Sequence, residues 1–259
     1  MSRSRLLHLH LGRTTYVAAA ALQRSLVSAH LAHKCQSTST RSPTSLQTLT
    51  PSNPPDPTVI TSEFHPPVYT LGRRESRTPL TPERESYLRV RGSELRYTPR
   101  GGLTTFHGPG QLTAYVIADL RHHGLTPRCY VRTLERALVT TCAQWGIRAF
   151  TTEDTGAWTS EDRKIGAVGV HMRRFVSSFG VGLNVSTDLW WFNRIIACGL
   201  EGKGATSFVR EGVVGVGVEE VGDSFVKALA ESLGCATIGK KSREDIPPDL
   251  LVGGVGEVS

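Results

Sequence analysis

A chain of 259 residues with 39% apolar content can build one sizeable domain with its own core, which excludes disorder of the chain as a whole. Its net charge of +7 is unevenly placed: residues 1–55 hold Arg3, Arg5, Arg13, Arg24, Lys34 and Arg41 with no acid, leaving the other 204 residues at only +1, which argues against a nucleic-acid groove. No run of eighteen apolar residues exists, so no membrane-spanning helix is expected.

The stretch Leu11–Gly12–Arg13–Thr14–Thr15–Tyr16 reads as a short opening strand leading into a helix. Tyr16, Ala19, Leu26 and Ala29 recur at helical spacing, with Arg24 on another face. An acid-free, Arg- and Ser-containing beginning also has the composition of a mitochondrial targeting segment. Residues of about 35–58 are Ser, Thr and Pro with few core formers, and are expected to be a disordered insertion rather than a domain boundary. Val68–Leu71 reads as a short strand and Leu95–Thr98 as another, leading into a glycine-rich loop. Leu112–Ala118 is a strand of mixed burial. Val131, Leu134, Leu138 and Cys142 mark an amphipathic helix ending near Gly146, which makes Cys142 a core residue. Lys164–Val170 and Val181–Val185 are strand-like, joined as a hairpin through Arg173, Arg174 and Ser177. Leu189–Ile196 is expected to be a helical turn, and Phe225, Leu229 and Leu233 to line a last helix, followed by a loose tail over 241–259. Strands and helices interleaved without βαβ regularity predict an α+β fold: a single domain, 1–240, with a mixed β-sheet flanked by helices.

The densest motif is Arg100–Gly101–Gly102–Leu103–Thr104–Thr105–Phe106–His107–Gly108–Pro109–Gly110–Gln111. Four glycines and a proline force tight turns that are expected to expose backbone N–H groups, with Arg100 and His107 as polar handles. It is not a phosphate-binding loop, because Gly-Lys-Ser/Thr and GxGxxG spacing are both absent. The five cysteines, Cys35, Cys129, Cys142, Cys198 and Cys235, show no CxxC spacing and no histidine cluster. A disulfide framework and a metal site are therefore not expected, and the thiols suit a reducing compartment. Taken singly, Lys164 reads as a solvated strand-end lysine and Cys198 as a small packed residue.

Their order within several motifs reverses that. Lys164–Ile165–Gly166–Ala167–Val168–Gly169–Val170, then Ser178–Phe179–Gly180–Val181–Gly182–Leu183–Asn184–Val185–Ser186–Thr187–Asp188–Leu189, then Ala197–Cys198–Gly199–Leu200, together with the glycine loop and His65–Pro66–Pro67–Val68–Tyr69–Thr70–Leu71–Gly72–Arg73, resemble the lipoyl(octanoyl) transferase family of lipoate biosynthesis. The resemblance implies the catalytic fold of biotin and lipoate protein ligases. It implies Cys198 as acyl-thioester nucleophile and Lys164 as the group that lowers its pKa and moves a proton. Octanoyl would come from acyl carrier protein and pass to a lysine on lipoyl domains of 2-oxoacid dehydrogenases or on the glycine cleavage H protein. No cofactor is implied, and a monomer in the mitochondrial matrix is expected. Arg100, Gly101, Gly102, Leu103, Thr104, Thr105, Phe106, His107, Ala167, Val168, Gly169, Gly180, Val181 and Gly182 would line the acyl tunnel. His107 is left with two roles, contact with the thioester or bracing of the loop, and Asn184 and Asp188 are expected to pin turns. The chain departs from the family pattern at Phe179, where histidine is usual, and at Ala197, where proline is usual. An ATP-dependent lipoate or biotin ligase is the alternative; such an enzyme forms an acyl-adenylate and has no use for Cys198.

Overall fold

The computed structural model describes residues 5–39, 53–75, 80–195 and 202–251 of the chain. The first elements are β1 (Arg5–Thr14), α1 (Tyr16–Ser39), β2 (Thr58–Phe64) and β3 (Val68–Leu71). After them come α2 (Pro82–Leu88), β4 (Glu94–Tyr97), β5 (Thr105–His107), β6 (Gln111–Ile117) and α3 (Pro127–Gln144). The chain continues with β7 (Ala157–Ser160), β8 (Arg163–Arg173), β9 (Val176–Asn184), a 3-10 turn over Leu189–Arg194 and β10 (Gly204–Ala205). It closes with α4 (Val218–Leu233), β11 (Thr237–Lys241) and α5 (Pro248–Leu251).

The large sheet runs β10-β8-β9-β6-β2-β1-β11, with β7 on β8, and a small sheet runs β4-β3-β5. Pairing is mixed: β1 is parallel to both β2 and β11, and β10 is parallel to β8, whereas β2-β6, β6-β9 and β9-β8 are antiparallel. This is the α+β class that the interleaved elements predict. Strands β6 and β9 are buried along their whole length, which explains why their residues do not alternate apolar with polar. On one face of the sheet, α3 and α4 bury Leu134, Leu138, Phe225 and Leu229 against Leu112, Ala114 and Val116. On the other face, Ala19 and Leu22 of α1 meet Leu9, Leu11, Ile60, Tyr115 and Ile117. A third cluster, Tyr69, Leu88, Phe106, Trp191 and Ile195, joins the small sheet to the 3-10 turn.

Local chemistry fixes the element ends. Thr126 accepts the Cys129 N–H ahead of Pro127, giving α3 a capped start, and Gly234 closes α4 in the left-handed conformation. The β8–β9 hairpin turns on Arg174 and Phe175, with φ of 51° and 67° and no glycine. The Arg121 guanidinium lies 4.2 Å above the Phe175 ring and braces that turn.

Four expectations need correction. Helix α1 runs to Ser39, so the predicted insertion begins inside a helix, while residues 40–52 lie outside the described residues. On α1, Ala19 is buried and Tyr16 and Leu26 pack against the same cluster as the spacing predicts, but Ala29 is exposed, and Leu22, Gln23 and His30 are buried as well. Strand β1 starts at Arg5, before the stretch read as a strand. Residues 241–251 are not loose and α4 is not the last helix: Ile246 is buried, Leu250 and Leu251 of α5 pack on the α1 side, and Arg243 donates to Thr14 Oγ1 at 3.1 Å. Three apolar anchors hold a segment whose charge and glycine content suggested otherwise.

Strands β6 and β9 approach so closely that a Cβ on Gly180 would lie 2.2 Å from Ala114 O. Gly180→Ala is therefore expected to cost about 3 kcal/mol or more, read as a lowered urea midpoint. Gly101→Ala, where the nearest atom would be Val170 O at 3.6 Å, should stay within about 1 kcal/mol of the wild type. A wild-type midpoint for Gly180→Ala would contradict this packing.

Candidate active site

The glycine loop is built around Arg100. Its buried guanidinium donates to Thr70 O (2.5 Å), Thr70 Oγ1 (2.8 Å), Gly101 O and Leu103 O (both 3.0 Å), tying the loop to β3. Burial of that charge is tolerable because oxygens replace its water. The Gly101 N–H donates to Val170 O at 2.9 Å, and Glu75 accepts both the N–H and the hydroxyl of Thr104. The loop thus uses these N–H groups internally, contrary to the expectation that it offers them outward, and Arg100 is a clamp rather than a handle at an edge. Gly102, at φ 91°, makes the turn, and a Cβ on Gly72 would sit 2.3 Å from Gly102 O.

Beneath the loop lies a cavity between the small sheet and strands β8 and β9. It is lined by Arg100, Gly101, Gly102, Leu103, Thr105 and His107 from the loop and by Ala167, Val168, Gly169, Gly180, Val181 and Gly182 from the strands. Its lining also includes Thr70, Thr98, Tyr115 and Phe179. Thr104 is absent from this lining because Glu75 holds it. Phe106 turns away to stack on Trp191, with centroids 4.9 Å apart at 8°. A second cavity holds Lys164, Phe106, Gln111, Asn184 and Phe192, and shares Thr105, His107, Ala167 and Gly182 with the first. The two cavities adjoin across these shared residues, and the pair makes up the candidate passage, with Lys164 lining the second cavity and Tyr115 and Phe179 the first. A side chain would crowd its wall: a Cβ on Gly169 would lie 3.1 Å from Arg100 Cδ and one on Gly182 3.2 Å from Gln111 Oε1, so those side chains would have to give by a few tenths of an ångström.

His107 stands where the two cavities join. Gln111 Nε2 donates to Phe106 O (3.1 Å) and Asn184 Oδ1 (2.9 Å), so Gln111 Oε1 faces His107 Nδ1 at 2.7 Å. A carboxamide oxygen only accepts, which places the imidazole proton on Nδ1 and leaves Nε2 as an acceptor. Burial, aided by the Arg100 charge and opposed by the Gln111 bond, lowers the His107 pKa to about 4. The side chain is neutral at neutral pH and braces the loop while presenting a lone pair. Asn184, in the second cavity, donates its amide to Thr206 O at 2.9 Å and accepts from Gln111 Nε2. Asp188 pins a turn, accepting the Trp190 N–H at 2.9 Å.

Lys164 is 8% exposed, with Nζ donating to Thr155 O at 2.9 Å and lying 4.5 Å from the Trp158 ring centroid. Gly156, at φ 132°, makes room for its stem, and the Gly156 N–H is held by Glu135 Oε1 at 2.8 Å. Ala205 of β10 pairs with Lys164, and the Thr206 N–H donates to Lys164 O at 2.9 Å, so the chain returns beside this lysine after residue 201. Cys198 and Ala197 lie outside the described residues. Cys142 is fully buried with its thiol pKa pushed up to about 12 by desolvation, which suits a core residue and not a nucleophile. Among the described residues no group of His, Cys, Asp and Glu could hold a metal ion.

Phe179 closes the far end. Its φ of 58° is unusual for a bulky side chain, and the Gln23 carboxamide of α1 accepts its N–H. The ring meets Tyr115 edge to face at 5.5 Å. The sequence pattern flags Phe179 but does not reveal its left-handed backbone, nor the parts played by Tyr115, Gln23, Gln111 and Trp158.

The lipoyl protein ligase A/B catalytic domain model matches residues 41–230. A Schizosaccharomyces pombe protein named probable octanoyltransferase is 52% identical over 161 residues, 62% of this chain and 70% of its own length. A Danio rerio protein named as a mitochondrial octanoyl-acyl-carrier-protein:protein N-octanoyltransferase is 38% identical over 226 residues, 87% of this chain and 91% of its own. Among solved structures, lipoate-protein ligase A bound with ATP shares the fold at TM-score 0.66 and 15% identity, over 96% of this chain and 92% of that one.

The buried neutral His107 makes stability fall in acid. Its folded pKa of about 4 lies below the ordinary 6.5, so its contribution is present above 6.5 and is lost as pH falls from there through about 4. His107→Gln should be less stable at pH 7 but lose stability more gently over that window, by about 1.4 kcal/mol per pH unit at most. Urea midpoints across pH 4.5–7.5 test this, and an unchanged slope would contradict a neutral buried imidazole.

Proposed function

The chain belongs to the lipoyl protein ligase A/B catalytic family, among its octanoyltransferases, and we propose that it moves octanoyl from acyl carrier protein to lipoyl-domain lysines through a thioester on Cys198. The observation that carries this reading is the pair of adjoining cavities that share His107 and Gly182, one lined by Lys164 and the other ending on Tyr115 and Phe179.

In the first step the Cys198 thiolate attacks the donor thioester carbonyl, and the carrier sulfur departs as a thiol, taking a proton from the Lys164 ammonium. Lys164 favours that thiolate by its charge. Chain reach supports the pairing: Cys198 is six residues before Gly204, where β10 joins β8, a span of no more than about 20 Å. The acyl chain lies in the passage over glycines 169, 180 and 182, where small residues leave room for methylenes. Seven buried CH₂ and CH₃ groups at ~0.8 kcal/mol each contribute roughly 5–6 kcal/mol. In the second step the acceptor lysine amine attacks the Cys198 thioester, an amide forms, and the cysteine leaves as thiolate. The amine sheds one proton, which Lys164, left neutral by the first step, takes up to restore the ammonium–thiolate starting state. Thioester exchange is nearly balanced and amide formation is downhill, so ATP is not required.

The acceptors in this reading are lipoyl domains of 2-oxoacid dehydrogenases and the glycine cleavage H protein, the enzyme works as a monomer, and its place is the mitochondrial matrix. Relatives named mitochondrial and the acid-free basic beginning of the chain support that location. Because β1 is an internal strand from Arg5 on, with Leu6 fully buried, targeting by this segment would have to leave β1 in place.

Incubation with octanoyl-acyl carrier protein without ATP should add one octanoyl mass to the intact protein. Cys198→Ser should abolish the adduct, Lys164→Ala should slow it by about two orders of magnitude, and Lys164→Arg should recover only part of the rate, keeping charge without proton relay. An adduct on Cys142 or Cys235, or a requirement for ATP, would sink the thioester mechanism.

A further inference from the structure

Outside the passage, arginines alternate with the exposed Tyr87 and the half-buried Trp190 in one stack. The Arg84 guanidinium lies 5.3 Å from the Tyr87 ring centroid, and that of Arg194 lies 3.8 Å from Tyr87 and 4.9 Å from Trp190. Arg91 caps the stack, 3.8 Å from the Trp190 ring. Arg194 also donates from Nε to Tyr87 O at 3.1 Å, so α2 and the 3-10 turn are bound into one platform. Tyr87 is 43% exposed and Arg91 is 58% exposed. The neighbouring acids answer this charge only weakly: Asp188 is 3.8 Å from Arg91, and Glu85 is engaged by Arg89 at 2.8 Å. Residues 73–96 hold seven arginines and four glutamates, a local +3 in a body whose 204 residues sum to +1. Residues 163–174 are as basic, with Arg163, Lys164, Arg173 and Arg174 and no acid, but here the arginines lie over aromatic rings.

The same 3-10 turn serves the passage. Trp191 faces inward on Phe106 and Phe192 lines the second cavity, while Trp190 and Arg194 face the stack. Arg194 precedes Cys198 by four residues, at most about 14 Å of chain. A protein seated on the stack is therefore near enough to deliver a thioester to that cysteine.

We propose that the Arg84–Tyr87–Arg194–Trp190–Arg91 stack is the docking surface for the acyl donor, an acidic carrier protein whose acyl arm hangs from a phosphodiester. This rests on the acyl-transfer reading above. Guanidinium faces stacked on rings are held flat at little further entropic cost, and their N–H edges suit phosphate and carboxylate oxygens. Arginine, tyrosine and tryptophan are also the residues that dominate interface energetics. The choice of donor over acceptor follows from charge. The acceptor brings a cationic lysine towards the site, which three guanidiniums oppose, whereas the donor brings an anion that they attract.

The test compares two donors on the full chain: octanoyl-acyl carrier protein and octanoyl-N-acetylcysteamine, which has no protein and no charge. Arg84→Glu combined with Arg91→Glu should raise KM for the carrier donor at least tenfold and flatten its salt dependence, while acylation by the small thioester stays within twofold. Arg84→Lys with Arg91→Lys should recover part of the loss. Transfer from pre-acylated enzyme to a lipoyl domain should be unaffected. An unchanged KM for the carrier donor, an equal fall with the small thioester, or a defect confined to the lipoyl-domain step would each overturn the proposal. If neither donor acylates the unmodified protein, the parent reading is what fails.

Discussion

Burying the Arg100 guanidinium is the constraint from which the site follows. A buried cation must find oxygens to replace its water, and Arg100 finds them on Thr70 of β3 and on Gly101 and Leu103 of its own loop. Those bonds settle how the loop folds back over the sheet, and Gly72 and Gly102 are small because the backbones then touch. The loop comes to rest on β8 through the Gly101–Val170 hydrogen bond; the close strand approach leaves no room for a side chain at Gly180, and one at Gly169 or Gly182 would crowd Arg100 or Gln111. The same charge helps keep His107 neutral. One buried arginine thus sets the shape of the passage and part of its electrostatics.

The two ends of the passage are built differently. At one end a lysine is held by a backbone carbonyl and an aromatic face, contacts that fix its place. At the other end Tyr115 and Phe179 meet edge to face, an apolar stop suited to a hydrocarbon terminus. The cost of the Phe179 backbone conformation is met by α1, whose Gln23 answers the N–H, so the first helix contributes to the site without lining it.

Much of this was legible in the sequence where local chemistry is decisive. Val68–Leu71 stands out between two prolines and a glycine and is the strand β3, and the Leu134, Leu138, Cys142 spacing is the buried side of α3. Twelve of the fourteen residues expected along the tunnel line the first cavity, because glycines so closely spaced mark where backbones must approach one another or a ligand. What stayed hidden depends on distant partners. Strand β11 is exposed and pairs with β1 in parallel, so it carries no alternating pattern. The internal use of the loop's N–H groups depends on Glu75 and Val170, residues outside the motif. The aromatic and arginine stack joins positions about a hundred residues apart, and no local spacing announces it.

The direction of the acyl chain is the centre of this account, and a photoreactive donor tests it most directly. An octanoyl thioester bearing a diazirine at its far end would be loaded on the enzyme, irradiated, and the modified residue mapped by peptide mass spectrometry. Labelling is expected at Tyr115, Phe179 or the adjoining Val168–Gly169 stretch, the end of the passage away from Lys164. Labelling of Leu134 or Phe225, across the sheet beneath α3 and α4, would show that the chain lies elsewhere and would contradict the account.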